Sequence, residues 1–394
     1  MTTQERLGPP VGGGLGTSPG GGLGRVRRKH DMTAAWRHVD FVLCALVGLA
    51  TVFGLLMIYS ATHHGEDPNA FISKQVLFVV IGVVAMGVAA WVDYERLADW
   101  SWAVYLAAIA MLGLVLVPGV GSVHKNIRAW FDIGPIQIQP AELAKIATII
   151  ALAAFLGRLD QAVRLRHLAV CLVVLALPMG LIMLQPDLGT TLVFVFIGLG
   201  MLIVGGVPAR YLVVLALMGL IAIFGILNSD TLDQYQKDRL ISFVTPDRAS
   251  EGAVYNTREA QKAIASGGLT GKGLFDGPQT AGGFVPEQQT DFIFTVPAEE
   301  LGFAGAGLTV LLLAGIVWRI WRTAQLARDR VGQLICVGVL CMVMFHVFEN
   351  IGMNLGIMPV TGIPLPFFSY GGSSTITTFI AMGLVLNVHM RRYS

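Results

Sequence analysis

Charged residues are scarce in this sequence. Only 13% of its 394 residues are Asp, Glu, Lys or Arg, whereas 54% are hydrophobic. A soluble globular domain carries about a quarter charged residues. The composition therefore excludes an ordinary soluble enzyme and indicates a polytopic membrane protein.

Cysteine is also rare, and its positions form no pattern. The four cysteines, Cys44, Cys171, Cys336 and Cys341, all fall within apolar segments. Their spacing matches no metal site, and burial in helices argues against a disulfide framework. We interpret them as small apolar packing residues.

The N-terminal segment lacks the features of a signal peptide. It starts with a Gly-rich stretch and contains the basic run Arg25-Val-Arg-Arg-Lys29, with no apolar segment and cleavage site directly after it. We interpret residues 1–38 as a disordered basic cytoplasmic tail and residues 39–394 as one membrane domain. The basic run is either a contact for anionic lipids or a topology signal, and we favour the topology signal.

Long apolar runs occupy most of the remaining chain. A membrane-spanning helix needs roughly 20 mainly apolar residues, and the sequence offers ten such segments. The predicted spans are 41–60, 75–92, 101–118, 141–157, 167–184, 188–206, 210–228, 299–318, 332–353 and 373–390. The predicted fold is therefore all-α, with ten transmembrane helices and a large extracytoplasmic loop, 229–298, between spans seven and eight.

Basic residues predict the orientation of these spans. With the N-terminus inside, seventeen Arg and Lys residues lie in inner segments, against only Lys74, Lys125 and Arg128 in the short outer loops. Inner loops of membrane proteins carry the excess of basic residues, and long loops count little in this rule. Both termini are thus predicted to be cytoplasmic, and the long loop to face outward.

Span four opens with the charged pair Glu142 and Lys145. An ionisable group inside a span is costly and is therefore a hypothesis of function. Because the two residues are three apart, they share one face of a helix. Either they neutralise each other and fix packing, or Lys145 binds an anionic headgroup while Glu142 holds it in place. The spacing does not decide between these alternatives.

Other polar groups near span ends have structural interpretations. Asp187, in a short outer turn, is predicted to cap the sixth helix. His346, Glu349 and Asn350 lie at helical spacing near the end of span nine and predict a polar seam between helices rather than a metal site. Glu299-Glu300 is predicted to begin span eight, where acidic groups favour the helix N-terminus.

The outer loop before span four places Arg128 close to Trp130. A basic group beside an indole suits a membrane anchor. It also suits a diphosphate site, because Arg binds phosphate oxygens bidentately.

The long outer loop exceeds the usual length of a connector. Within it, Tyr255 to Ser266 has helical spacing, and Gly267-Gly268 is a natural helix stop. The loop ends in Val285-Pro-Glu-Gln-Gln-Thr-Asp-Phe-Ile-Phe294. Phe292 and Phe294 are predicted to anchor this segment at the membrane interface. Asp291 is then either the cap of the next helix or a reactive carboxylate, and the residues alone slightly favour the cap.

Several motifs in a fixed order resemble the SEDS family of cell-wall proteins (shape, elongation, division and sporulation), from about Asp40 to the C-terminus. The motifs that carry the resemblance are Ile138-Gln-Pro-Ala-Glu-Leu-Ala-Lys145, Gln185-Pro-Asp-Leu-Gly-Thr190, Tyr255-Asn with Ser266-Gly-Gly-Leu-Thr-Gly-Lys-Gly273, the 285–294 segment, Glu299-Glu-Leu-Gly302, and Gly362-Ile-Pro-Leu-Pro-Phe-Phe-Ser-Tyr-Gly-Gly-Ser-Ser374. The runs 350–359 and 363–366 look more like the RodA branch of the family than the FtsW branch.

The chain departs from the family pattern at three positions. Ala141 stands where Ser is common, and Gln289 stands where His is common. Ala129 separates Arg128 from Trp130, whereas a basic residue often directly precedes this Trp. The last departure bears on the role of Arg128.

The resemblance implies a peptidoglycan glycosyltransferase that polymerises lipid II into β-1,4 glycan strands with inversion, in the bacterial plasma membrane. It implies Asp291 as the essential aspartate, and it matches Glu142 and Lys145 to the family's charged pair in span four. Arg128, Glu287 and Thr290 are further expected substrate-binding residues. The expected partners are lipid II, the nascent glycan, membrane lipids and a class B penicillin-binding protein, with no nucleic acid.

The implied mechanism assigns a role to each of these groups. Asp291 would be the general base, since an aspartate that faces water is ionised at neutral pH. Lys145 and Arg128 would face the diphosphate, and Glu142 would orient Lys145. A divalent cation, Mg²⁺ or Mn²⁺, is a candidate cofactor that bridges diphosphate oxygens.

Three other functions remain open from the sequence. A lipid II flippase would also place charges inside spans, although the strongest motifs cluster at the outer face. A scaffold that only recruits the penicillin-binding protein is a second alternative. The polymerase could also serve division or sporulation. The RodA-like motifs favour elongation.

Overall fold

The computed structural model describes residues 38–64, 68–124, 127–134, 136–159, 163–227 and 251–393. The predicted tail, apart from residue 38, lies outside the described residues, as do residue 228 of the predicted seventh span and residues 229–250 of the predicted long loop.

The described chain is mainly helical. In chain order its elements are α1 (Phe41–Thr62), α2 (Pro68–Trp91), α3 (Tyr94–Asp99), α4 (Ser101–Val115), β1 (Ser122–His124), β2 (Ile127–Ile133), β3 (Ile136–Ile138), α5 (Pro140–Gly157), α6 (Leu165–Met183), α7 (Leu188–Val204), α8 (Ala209–Leu227), α9 (Glu251–Gly267), α10 (Pro278–Ala281), α11 (Thr295–Glu300), α12 (Gly302–Gln325), α13 (Arg330–Leu355) and α14 (Gly372–Met390).

Seven of the described helices, α1, α2, α5, α6, α12, α13 and α14, are long and apolar enough to cross a membrane. Three shorter apolar helices, α4, α7 and α8, coincide with the other predicted spans. The helical membrane fold is confirmed, and the count of ten spans stays a prediction.

The core of the bundle is formed by α5, α13 and α14, whose surfaces are mostly buried, whereas α2 is mostly exposed. α5 packs against α4 and α13, α13 packs against α7 and α12, and α14 packs against α2. Apolar side chains that face outward on α2 suit lipid contact, because a helix facing lipid needs no polar surface.

A small antiparallel sheet precedes α5 and was not expected from the sequence. Its strand order is β1-β2-β3, with Ser122 opposite Trp130 and Phe131 opposite Ile138. Ser373 at the start of α14 ties the sheet to the bundle: its Oγ donates to the Gln137 carbonyl oxygen (2.7 Å) and accepts from the backbone N–H of Gln139 (2.8 Å).

Both described ends of the chain lie at the same end of the bundle. Asp40, which caps α1, contacts Arg319 Nη2 (2.5 Å) and His389 Nδ1 (3.7 Å). We call this the terminal end. The opposite end, which carries the sheet, α9 to α11 and residues 356–371, is the loop end. Which end faces the cytoplasm stays a prediction of the basic-residue pattern.

Two predictions about individual segments are confirmed. The predicted helix in the long loop is α9, and Gly268 after it adopts the left-handed conformation (φ 57°). The four cysteines are free thiols, buried or half-buried in helices.

Glu299 and Glu300 do not begin the eighth span. They end the short helix α11, and the span helix α12 starts two residues later at Gly302. Gly302 has a positive φ of 65°, which interrupts the helical backbone between α11 and α12. Glycine adopts this conformation at no steric cost.

Close packing of α1 predicts the effect of a single methyl group. A Cβ at Gly54 would overlap the Phe367 carbonyl oxygen and Phe368 Cα, whereas Gly48 on the same helix has nothing within 4 Å. Overpacking of a tight site costs about 1–3 kcal/mol. We therefore expect Gly54→Ala to lower the thermal unfolding temperature in detergent, and Gly48→Ala to leave it unchanged. Equal unfolding temperatures for both variants would contradict this packing.

Candidate functional site

The segment that carries Asp291 is a tight turn built on Glu287. Glu287 has a left-handed φ of 53°. Its carbonyl oxygen accepts from the backbone N–H of Thr290 (3.2 Å), Asp291 (3.1 Å) and Phe292 (3.4 Å), and from Thr290 Oγ1 (3.1 Å). The Glu287 side chain itself is exposed, and Thr290 and Asp291 are half-buried. The turn thus presents three polar side chains, all predicted site residues, at the loop end.

Residues 362–371 hold this turn from one side. The backbone N–H of Tyr370 donates to the Gln289 carbonyl oxygen (2.8 Å), and Ser369 Oγ donates to the Thr290 carbonyl oxygen (2.5 Å). Two successive peptide groups before Asp291 are therefore fixed to one loop.

Helix α13 holds the next peptide group. Asn350 Nδ2 and Asn354 Nδ2 donate to the Asp291 carbonyl oxygen (2.9 and 3.2 Å). The Asp291 carboxylate lies against Gly362, since a Cβ there would stand 3.4 Å from Asp291 Oδ2. Both asparagines are fully buried. The sequence predicted that His346, Glu349 and Asn350 form a polar seam between helices. His346 does contact another helix, through Lys145, but Asn350 contacts the Asp291 turn and Ile363 instead. The contact of Asn354 with Asp291 was not predicted.

Two expectations about this segment are wrong. Phe294, not Asp291, occupies the N-cap position of α11. Phe292 and Phe294 are buried within the protein, with exposures of 1% and 4%, and do not lie at a lipid interface. Their burial still fixes Asp291, because it anchors the chain directly after the turn.

A series of buried hydrogen bonds connects Glu299 with Phe292, the residue after Asp291. Thr280 Oγ1 donates to Glu299 Oε2 (2.7 Å) and accepts from Gln288 Nε2 (3.0 Å). Gln288 Nε2 also donates to Thr295 Oγ1 (2.9 Å), which donates to the Phe292 carbonyl oxygen (2.7 Å). The hydroxyl groups of Thr280 and Thr295 each donate one hydrogen bond and accept one, so Glu299 is linked to the residue after Asp291.

Glu142 and Lys145 form the predicted pair on α5. Lys145 Nζ donates to Glu142 Oε1 (2.7 Å), and both residues are buried, with exposures of 1% and 5%. Lys145 Nζ also lies 3.1 Å from His346 Nε2, while His346 Nδ1 lies 2.6 Å from the Met342 carbonyl oxygen. Because that oxygen can only accept, Nδ1 carries the proton and Nε2 accepts from the ammonium.

One helix therefore connects the buried pair with the Asp291 turn. His346 contacts Lys145, and Asn350, four residues later on α13, contacts Asp291. Four residues correspond to about 6 Å along a helix axis. The two parts of the predicted site thus lie on neighbouring turns of α13.

Arg128 lies apart from this arrangement. It is a half-buried residue of β2 whose Nη1 donates to the Leu116 carbonyl oxygen (3.4 Å) and whose stem packs beside Gly121. These described contacts hold it on the central strand of the sheet, opposite Val123, and do not join it to Lys145 or Asp291.

Asp187 has the predicted capping role. Its Oδ1 accepts from the backbone N–H of Thr190 (2.9 Å) at the start of α7, and its Oδ2 accepts from Thr190 Oγ1 (2.8 Å). Gln139 Nε2 donates to the same Oδ2 (3.4 Å), which links this cap to the start of α5.

No group of three or more His, Cys, Asp or Glu side chains in the described residues could hold a metal ion. The described residues therefore do not fit a metal held by protein ligands alone. Mg²⁺ in phosphate-using sites is bound by substrate phosphates, water and one or two carboxylates, so the divalent cation expected from the resemblance stays a prediction.

Comparison with known proteins identifies the family of this chain. The sequence pattern of the family described as "Cell cycle protein" (FtsW, RodA, SpoVE) matches residues 40–394. The chain belongs to this family. Its FtsW/RodA/SpoVE relatives include stage V sporulation protein E of Bacillus subtilis, 37% identical over 92% of this chain and 100% of that protein. They also include peptidoglycan glycosyltransferase MrdB of Escherichia coli, 35% identical over 90% of this chain and 94% of that protein.

Solved structures share the fold of this chain. One chain, from a structure described as "Structural coordination of polymerization and crosslinking by a peptidoglycan synthase complex", has a TM-score of 0.78 at 32% identity and covers 91% of this chain and 100% of that chain. The rod shape determining protein RodA of Thermus thermophilus has a TM-score of 0.69 at 32% identity, covering 91% of this chain and 99% of that chain.

The buried ion pair between Glu142 and Lys145 predicts how single and double substitutions change the unfolding temperature. Removing one partner of a buried ion pair costs about 3–5 kcal/mol, because the other charge stays buried and unpaired. We expect Lys145→Met or Glu142→Gln alone to lower the unfolding temperature strongly, and the double substitution to recover most of the loss. Thermal unfolding of the three variants in detergent is the measurement. Additive losses in the double variant would show that the two side chains are not coupled.

Proposed function

We propose that this chain is a peptidoglycan glycosyltransferase that polymerises lipid II during cell-wall elongation. The observation that carries the proposal is the Asp291 turn. A half-buried carboxylate is held at the loop end by three successive peptide contacts, in a chain whose relatives include proteins named peptidoglycan glycosyltransferase. A rigid carboxylate at the mouth of a membrane bundle suits chemistry on a lipid-linked sugar.

Asp291 is the general base of this proposal. The acceptor's 4-hydroxyl oxygen forms a bond to the anomeric carbon of the growing glycan, and the bond from that carbon to the diphosphate breaks. The proton goes to the Asp291 carboxylate, and the electron pair leaves with the diphosphate. One displacement inverts an α-linkage into the β-1,4 product. A positioned base contributes about 10²–10⁴-fold.

Glu287 and Thr290 are proposed to contact the sugars. Their side chains flank Asp291 on the same turn, and Glu287 is exposed. The Thr290 hydroxyl already donates to Glu287, so it is available to substrate as an acceptor.

The positive charges are proposed to act differently from each other. Lys145 is buried and paired with Glu142, so it acts on the site through α13 rather than by touching the diphosphate in this conformation. Arg128, half-buried on the sheet, is the more accessible group for phosphate oxygens. A divalent cation carried by the diphosphate would supply further positive charge when bound.

The partners and location follow the same reasoning. The resemblance to a chain of a peptidoglycan synthase complex supports a class B penicillin-binding protein as partner. The positive-inside pattern supports a plasma-membrane protein with cytoplasmic termini and an extracytoplasmic loop end. Because the relatives include sporulation and FtsW proteins, complementation of elongation-defective against division-defective cells decides the pathway.

Loss of the carboxylate tests the proposal. We expect Asp291→Asn to abolish polymerisation of labelled lipid II by the purified protein with its transpeptidase partner, because the amide cannot accept the proton. Asp276→Asn, the same change at an exposed position of the same loop, is the control and should retain activity. A chelator arm tests whether a cation is required.

Normal glycan product from Asp291→Asn would reject Asp291 as the base. A lipid II flippase would instead move lipid II across vesicles without forming polymer. A scaffold would show neither lipid II movement nor polymer that depends on this chain, so the polymer assay and the vesicle assay together separate the three functions.

A further inference from the structure

We propose that Asn350 and Asn354 are positioning residues that set the height of the Asp291 carboxylate relative to the buried Lys145. The proposal rests on the proposed function, because it gives these asparagines a role through Asp291. Neither side chain touches the substrate in this role.

The contacts favour positioning over general packing. Asn350 Nδ2 uses its two hydrogens on the carbonyl oxygens of Asp291 (2.9 Å) and Ile363 (2.8 Å). It therefore joins the reactive turn to the loop against which the carboxylate lies. Asn354 Nδ2 donates to Asp291 (3.2 Å) and to the Asn350 carbonyl oxygen (2.8 Å), which braces the same point.

The target of both donors is a backbone oxygen of Asp291, not its carboxylate. The contacts therefore leave the carboxylate's chemistry unchanged and fix only where its Cα lies. The preceding carbonyl oxygens of Gln289 and Thr290 are bound by the 362–371 loop. Two side chains of α13 donate to the Asp291 carbonyl oxygen, so α13 fixes the peptide group that directly follows the Asp291 Cα.

The same helix face reaches Lys145. His346, one turn before Asn350, accepts from the Lys145 ammonium. One element, α13, therefore contacts both Asp291 and Lys145 and helps to set the separation between them. A misplacement of about 1 Å at a reacting group can cost about 100-fold in rate, so loss of the Asn350 donors should lower the chemical step.

The chain provides a matched control for this test. Asn387 at the terminal end is also fully buried, and its Nδ2 also donates to two backbone oxygens of a neighbouring segment, Ala89 (2.7 Å) and Val92. Asn350→Leu and Asn387→Leu each remove two donor contacts to backbone oxygens, at opposite ends of the bundle. Asn387→Leu also removes the Oδ1 that accepts from the Tyr94 N–H and from Arg391 Nη1, so it is the harsher test of the fold.

The experiment measures polymerisation kinetics of labelled lipid II by the full chain with its transpeptidase partner, per folded molecule. We expect Asn350→Leu to lower kcat about 100-fold with KM for lipid II changed less than about threefold, because the base acts in the transition state. Asn387→Leu should keep kcat within about twofold, even where both variants lose similar thermal stability. Equal kcat losses in the two variants, or a normal kcat for Asn350→Leu, would overturn the proposal.

Two further arms keep the result decisive. If Asn350→Leu does not fold, Asn354→Ala replaces it, with an expected kcat loss of about tenfold and a normal kcat as the overturning result. Asp291→Asn in the same assay separates the two claims. If Asp291→Asn is inactive and the asparagine variants are normal, only the positioning role fails. If Asp291→Asn is active, the proposed function fails.

Discussion

A buried polar face along α13 is the constraint on which the loop end depends. His346 accepts from Lys145, and Asn350 and Asn354 donate to the Asp291 carbonyl oxygen. A buried polar group left without a partner costs about 1–3 kcal/mol. Each neighbouring element is therefore held in the position that keeps these hydrogen bonds, and both α5 and the Asp291 turn are positioned against α13.

The Asp291 turn stores conformational strain that its surroundings stabilise. Glu287 is a non-glycine residue at φ 53°, a conformation that costs of order 1–3 kcal/mol and clusters at functional sites. This conformation is stabilised because the Glu287 carbonyl oxygen accepts hydrogen bonds from three backbone N–H groups. The buried side chains of Phe292 and Phe294 also anchor the residues that follow. Strain and burial together leave the carboxylate little freedom before substrate binds.

Local sequence patterns predicted much of this structure, but they could not predict contacts between residues that are far apart in the sequence. Helical spans follow from hydropathy, the Asp187 cap from its place before a helix, and the contact between Glu142 and Lys145 from their spacing of three. The sheet was missed because its short strands are stabilised by pairing with one another and by Ser373, far away in sequence. The hold of α13 on Asp291 spans 59 residues, and no local pattern reports such a contact.

The burial of Lys145 changes how the positive charge of the site should be understood. An ammonium paired with Glu142 at 2.7 Å is nearly neutral when seen from a distance, since the two opposite charges cancel. It therefore contributes little field at a diphosphate outside the bundle. Its stronger role is mechanical, because the pair and His346 fix α5 against α13. Under the proposed function, charge for the leaving group would come from a more accessible position, such as the half-buried Arg128 on the sheet, or from a cation that the diphosphate carries.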